Sequence, residues 1–208
     1  MVPGNRFERR KQRTRQDILR AAEKVLADKG LFDAKIADIA EAADIAPRTF
    51  FAYFPSKEEA VFPKYETAHA EFDRVLRERP AGTTALEALR TWVEKAAQEY
   101  IPAPDQMLLE AKLRRESPAV AACDLRHTRQ FERRLAEAVG EDLGEPADAL
   151  RPRLVAAAAT AALTASSDSA DSLLERDPKA AEAMLADPMA FIDDALRFLE
   201  AGLAALRS

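Results

Sequence analysis

Residues 36–55, IADIAEAADIAPRTFFAYFP, constrain the fold of this chain more than any other stretch. Ile39, Ala43, Ile45, Phe50 and Tyr53 are apolar or aromatic at intervals that suit two short helices crossing at a steep angle, each burying side chains against the other. Ala40 falls where such helices approach most closely, and only a small residue fits there. Asp44 takes the turn position, where the backbone tends to be left-handed, a conformation that Asp tolerates better than most residues. The spacing predicts a helix-turn-helix, with helices over 37–43 and 47–54. Pro47 opens the second of them, because the N–H that proline lacks would be unpaired at a first helical position.

Helix start and stop signals predict helices through the rest of the chain. Thr14 and Asp17 open a first helix over about 15–29, which Gly30 ends. Ser56-Lys-Glu-Glu59 forms a capping box that starts a helix reaching about Arg79, with a break expected near 61–62 because Pro63 lies inside it. Thr83 or Thr84 caps a helix to Tyr100. Further helices are expected over 105–116, from Ser117 to about 141, from about 148 to 167 or beyond, and from Pro188 onward. Composition agrees: 44 alanines stand against six glycines, and alanine is the best helix former. The expected fold class is all-α, with residues 1–55 forming an amino-terminal arm and three-helix domain and residues 56–208 a larger domain of about six helices.

Several function classes are excluded at this level. Cys123 is the only cysteine, so an internal disulfide or a multi-thiolate zinc site is not expected. His69 and His127 are the only histidines, and neither sits near a spaced carboxylate motif, so no metal is expected either. There is no GxSxG, no phosphate-cradling glycine loop and no paired histidine motif, so no catalytic residue, no cofactor and no enzymatic role are expected. The longest apolar stretch, Leu154 to Ala165, is mostly alanine and about twelve residues long, whereas a membrane span takes roughly twenty. A cytoplasmic protein without a membrane partner is expected.

The net charge of −5 argues against nucleic acid only as an average. Residues 1–20 hold seven basic and two acidic residues, a net of +5, whereas residues 21–60 carry −3 and residues 61–208 carry −7. A basic arm on an acidic body points to a polyanionic partner. A helix of the predicted kind enters a B-DNA major groove. Arg48 can donate two bonds to guanine, a pairing worth about 1–3 kcal/mol of base discrimination, and Thr49 suits a phosphate or a thymine methyl. Pro47, Phe51 and Ala52 add contact surface, and Tyr53 can bury its ring while its hydroxyl meets the DNA backbone. Lys57, at a helix start, makes a phosphate site with the free N–H groups there. Arg10 and Arg13 of the arm are expected to reach along or into the adjacent groove. The plainer reading of the arm is a solvated terminus.

Two runs, RTRQDILRAA and IADIAEAADIAPRTFFAYFPSKEEAVF, resemble the amino-terminal domain of the tetracycline-repressor (TetR) family, most specifically in the tyrosine-phenylalanine-x-serine-lysine stretch at Tyr53 to Lys57. The resemblance covers about residues 10–60. It implies that Arg48 and Thr49 face an operator and that Lys57 binds phosphate. Lys35 stands where the family usually has a capping threonine; it cannot cap but could bind phosphate. Asp44 replaces the turn glycine, and Phe51 a frequent tyrosine.

The carboxy-terminal part offers two sets of candidates. Trp92, Tyr100, Met107, Leu108, Leu109 and Phe131 either line a cavity for a small-molecule effector or belong to the core; His127 and Arg126 could orient a polar group of that effector or lie at the surface. Cys123 reads as a small buried residue. The alanine-rich helix with Ala158 and Ala162, together with the stripe Phe191, Ala195, Phe198 and Leu199, suggests a homodimer interface of two helices from each subunit, as the resemblance also implies. Intramolecular packing is the alternative. The function these features point to is a homodimeric, DNA-binding transcriptional regulator, a repressor that a small molecule releases from double-stranded operator DNA; the alternatives are a constitutive DNA-binding helical protein without a ligand and an all-helical enzyme with a vestigial helix-turn-helix.

Overall fold

The computed structural model describes residues 6–61, 64–100 and 104–207. All regular elements among the described residues are helices, as an all-α chain requires. The chain divides between Thr67 and Ala68 into two compact units. The expected boundary at residue 55 falls short of this, because the helix after it buries Ala60 in the core of the first unit.

The first unit comprises α1 (Arg6–Asp33), α2 (Ile36–Ala42), α3 (Pro47–Phe50) and α4 (Lys57–Val61). α1 begins nine residues before the expected start, so residues 6–14 are helical and not an extended arm. No glycine or proline interrupts 6–29, and arginine, lysine and glutamine are good helix formers. Gly30 leaves helical geometry at φ 74° and ψ 165°, the stop that the sequence predicts, in a region open to glycine. Phe50 and Phe54 are buried among Ile18, Ala22, Val25 and Ile39, with ring centroids 5.7 Å apart. Each buried phenylalanine is worth about 1.5–3 kcal/mol, so this pair dominates a small core.

The second unit takes in α5 (Lys64–Arg77) from Ala68 onward, then α6 (Ala85–Tyr100), α7 (Pro104–Glu116), α8 (Pro118–Leu143), α9 (Leu150–Arg176), α10 (Pro178–Ala186) and α11 (Pro188–Arg207). The expected break near Pro63 coincides with the end of α4 at Val61 and the start of α5 at Lys64; Pro63 itself lies outside the described residues. Local chemistry sets most helix ends. Thr84 and Glu87 form a reciprocal capping box (2.6 and 3.2 Å), Ser117 accepts from the Val120 N–H (3.3 Å), and left-handed Gly144 closes α8. α10 was not anticipated. It starts as α11 does, with an Asp-Pro pair: Asp177 accepts from the Ala180 N–H (3.1 Å) and Asp187 from the Ala190 N–H (3.0 Å).

One core joins these helices. Phe72 and Leu76 of α5, Leu86, Leu89 and Val93 of α6, Phe131, Leu135 and Val139 of α8, Val155, Ala156 and Ala159 of α9, and Leu199 and Leu203 of α11 are all buried in it. Asp142 fastens one end: it accepts from the Ala85 N–H (2.6 Å) and pairs with Arg79 (3.3 Å). Arg90 fastens α6 to α11 through Asp193 (2.6 Å) and Glu200 (2.8 Å).

Candidate nucleic-acid interface

The turn between α2 and α3 has the geometry its sequence demands. Asp44 is left-handed at φ 53°, the only non-glycine residue with positive φ among the described residues. The Ile45 N–H reaches back to the Ala40 carbonyl (2.9 Å), and Ala40 is fully buried at this close approach. Lys35 precedes α2 and does not cap it with its side chain. Asp38 compensates by accepting from the Lys35 N–H (2.9 Å) and pairing with Lys29 (2.9 Å). Lys29 first, then the Lys35 N–H, hold the Asp38 carboxyl below the usual carboxylate range.

α3 is shorter than the predicted helix over 47–54. Beyond Phe50 the chain tightens: the Ala52 and Tyr53 N–H groups donate to carbonyls three residues back, on Thr49 (3.1 Å) and Phe50 (2.9 Å). Four of the five residues from 50 to 54 are aromatic, and aromatic side chains lose rotamer freedom against a preceding α-helical turn. The tightened end divides the aromatics between two sides. Phe50 and Phe54 point into the core and Tyr53 packs half-buried against it, while Phe51 is 57% exposed and meets Phe50 edge to face at 5.8 Å. Pro47, Arg48 and Ala52 are exposed beside Phe51, and Thr49 is half-buried. Among the described residues Arg48 makes no hydrogen bond or ion pair, so its five donors face outward.

Two expectations change here. Lys57 does not stand free at the start of α4: its ammonium donates to the carbonyls of Leu31 and Ala34, both at 2.7 Å. Two of its three N–H groups therefore close the end of α1, and one is left for a phosphate. Lys57→Met keeps the aliphatic stem and removes these bonds, so it is expected to lower stability by about 2 kcal/mol. Thermal denaturation without DNA checks this, since a lysine serving phosphate alone would leave the melting temperature unchanged. The arm also changes character. Arg10 and Arg13 are exposed on α1, and Arg15 turns inward, its guanidinium 4.7 Å above the Phe54 ring. A helix about 10–12 Å wide does not enter a minor groove about 6 Å wide, so the helical residues 6–14 cannot thread that groove as an extended arm would.

Comparison with known proteins decides the family. A family model described as "Bacterial regulatory proteins, tetR family" matches residues 18–61, and one described as "MftR C-terminal domain" matches residues 83–204. The chain is 32% identical over 165 residues to the HTH-type transcriptional regulator TcmR of Streptomyces glaucescens, covering 74% of this chain and 71% of that protein. The chain belongs to the TetR family of bacterial regulatory proteins. It is thus a DNA-binding transcriptional regulator whose α2 and α3 form the helix-turn-helix. EthR of Mycobacterium tuberculosis is 35% identical over 79 residues, 36% of this chain and 37% of its own. Two solved structures share the TetR fold at 21% identity. FadR from Thermus thermophilus in complex with lauroyl-CoA gives a TM-score of 0.59 over 89% of this chain and 92% of that one. FadR from Bacillus subtilis in complex with stearoyl-CoA gives 0.51 over 88% and 96%.

In the second unit of this TetR-family chain, the candidate cavity residues separate. Phe131 stacks on Phe72 at 4.1 Å in the core and Trp92 packs against the same core, edge-on to Phe72 at 5.3 Å, where the alternative reading puts them. Met107 and Leu108 are half-buried on α7, Leu109 is exposed, and Arg126 is exposed on α8; Tyr100 ends α6, its side chain outside the described residues. His127, with a surface place as one expectation, is buried and faces His69 across 3.1 Å. Cys123 is buried as expected. The candidate dimer residues separate too. Leu199 is 5% exposed in this chain's own core and cannot meet a partner, which corrects its assignment to the interface. Ala158 and Ala162 pack against that same core, and Ala195 is half-buried. Phe198 is 75% exposed; the Phe191 side chain lies outside the described residues. The outward face of α9 is one residue away from the expected one, with Leu150, Leu154, Ala157, Ala161 and Ala165 exposed at helical spacing.

Proposed function

We propose that this regulator is a homodimeric repressor that reads two operator half-sites with its two α3 segments and leaves them when a small molecule binds its second unit. One observation carries the DNA face: Arg48 and Phe51 stand exposed on a turn whose neighbours Phe50 and Phe54 are locked in the core. A rigid scaffold under an outward guanidinium suits base reading, since an immobile donor fork loses little freedom on binding. Arg48 reads guanine, Thr49 and the Tyr53 hydroxyl hold phosphates, and Pro47, Phe51 and Ala52 fill the groove. Lys35, Arg10, Arg13 and the remaining Lys57 N–H add phosphate contacts on the flanks.

Two copies meet through the exposed apolar faces of α9 and α11, Leu150, Leu154, Ala157 and Ala161 with Phe198. Large exposed apolar side chains at helical spacing mark an interaction surface, and helix pairs from two subunits bury them in a two-fold arrangement. The two α3 segments then sit about one DNA turn apart, ~34–36 Å, or a multiple of it. The effector acts by binding more tightly to a dimer of different spacing, and it lowers operator affinity by that difference. Two structural neighbours hold acyl-CoA, a ligand with a long apolar chain, which supports a partly apolar effector here. The protein works in the cytoplasm and by binding alone.

A footprint of the full chain on the DNA flanking its own gene tests the reading. The expected result is two protected half-sites related by a dyad and centred one or two helical turns apart, with protection lost when lauroyl-CoA is added as a probe effector. Protection of a single unpaired half-site would overturn the dimer, and protection that added lauroyl-CoA does not weaken would favour the constitutive alternative.

A further inference from the structure

Residues 68–208, the second unit, carry a net charge of −7, yet one groove on this unit is walled by arginine. It lies between the C-terminal ends of α5 and α8 and has a volume of about 440 Å³, within the ~300–1,000 Å³ range of small-molecule sites. Leu76 and Ala138, both buried, supply its apolar floor. Arg77 and Arg79 line it from the α5 side, Arg133 and Arg134 from the α8 side. None of these residues has a part in the regulator proposed above.

The four guanidiniums are of two kinds. Arg79 and Arg134 are fixed: Arg79 donates to the Leu76 carbonyl (3.1 Å) and pairs with Glu141 (2.9 Å) and Asp142 (3.3 Å), while Arg134 pairs with Asp73 and donates to the His69 carbonyl (3.3 Å). These bonds tie α5 to α8 and set the width of the groove. Arg77 and Arg133 are not held in this way. Arg77 is exposed and makes no hydrogen bond or ion pair among the described residues, and Arg133, 70% exposed, has its one ion pair there with Glu137 at 4.0 Å. An exposed pair that long holds weakly. Two five-donor forks thus stand on the two walls of one groove with their donors largely unused.

We propose that this groove binds a small phosphomonoester, held between Arg77 and Arg133 and framed by Arg79 and Arg134. The acids of the groove decide which anion fits. Glu137 and Glu141 line it and are tethered there, so a ligand with a single carboxylate offers nothing that they do not already supply. A nucleic-acid phosphodiester carries one charge per phosphate and meets the same competition. A phosphomonoester brings nearly two charges and three acceptor oxygens at neutral pH, enough to engage a fork on each wall, and guanidinium pairs with phosphate in the strong bidentate manner. The two glutamates yield readily, because their side chains are 59% and 74% exposed and can turn to solvent as the ligand displaces them. The apolar floor then meets the organic part of the ligand.

Calorimetric titration of the full chain in phosphate-free buffer tests this, with inorganic phosphate and adenosine monophosphate as probes. Both are expected to saturate one site per chain and to compete with each other, while adenosine gives no heat and malonate, a dianion of two carboxylates, binds at least about tenfold more weakly. Arg77→Gln and Arg133→Gln should each weaken both probes at least about tenfold. Both side chains are exposed, so the melting temperature without a probe should stay in place. Glu137→Gln should tighten binding by removing a competitor. Arg176→Gln, an equal loss of charge at the exposed end of α9, should leave it unchanged. Failure of both probes to saturate at millimolar concentration, malonate binding as well as phosphate, Arg176→Gln weakening the probes as much as Arg77→Gln, or affinity that survives the Arg77→Gln, Arg133→Gln double variant would each overturn the site.

Discussion

Phe50→Ala is expected to abolish operator binding and to destabilise the first unit by about 3–5 kcal/mol, the cost of a buried phenylalanine lost with its cavity left behind. The surroundings cannot close over that cavity. Phe50 is fully buried against Phe54 at 5.7 Å and against Phe51 at 5.8 Å, and its carbonyl accepts the Tyr53 and Phe54 N–H bonds that tighten the end of α3. Removing the ring therefore unseats the aromatic that anchors the turn carrying Arg48. Small domains hold only about 5–15 kcal/mol of stability in all, so a loss of this size removes a large share of what keeps the unit folded. Calorimetry and fluorescence anisotropy with operator DNA check both halves. An unchanged melting temperature would show that Phe50 is not the anchor the packing makes it.

Arg48→Ala is expected to act in the opposite way, leaving stability within about 0.5 kcal/mol and removing sequence preference. A guanidinium bidentate to guanine is worth about 1–3 kcal/mol of discrimination, and a dimer uses it twice, so operator affinity should fall roughly thirtyfold or more. The informative comparison is Arg48→Lys. Lysine keeps the positive charge and loses the planar fork, so it should retain the salt dependence of binding while operator and scrambled DNA become harder to tell apart. If Arg48→Lys preserved the full preference for operator, Arg48 would be holding phosphate and base reading would have to come from Thr49 or Phe51.

Features decided by a few neighbouring residues were legible in the sequence. Gly30, Asp44, the Thr84–Glu87 box and Ser117 act through backbone conformation or a bond three residues long, and each does in the structure what its chemistry predicts. The helix-turn-helix belongs with them, because its apolar spacing is local. The misses are of two physical kinds. On α9 a run of alanines offers almost no contrast between faces, so a reading one residue off put Ala158 and Ala162 outward when Ala157 and Ala161 are. Lys57 and the histidine pair depend on contacts across 23 to 58 residues, which no period or motif encodes. α10 had a visible signal in the Asp-Pro pair at 177–178, which matches the pair at 187–188 that opens α11.

The helical state of the basic amino-terminal stretch changes when its charge matters. Residues 9–15 carry five positive and no negative side chains. In a helix they occupy about 10 Å of length, against about 23 Å if extended. Charge this dense, within about one Debye length at physiological salt, acts as a single source on an approaching duplex well before any base is touched. Its leverage is on the search: how often the protein meets DNA and how long it slides before α3 tests a sequence. A regulator so equipped should find its site quickly in dilute salt and progressively more slowly as ionic strength rises, even where the affinity of the final complex is set elsewhere.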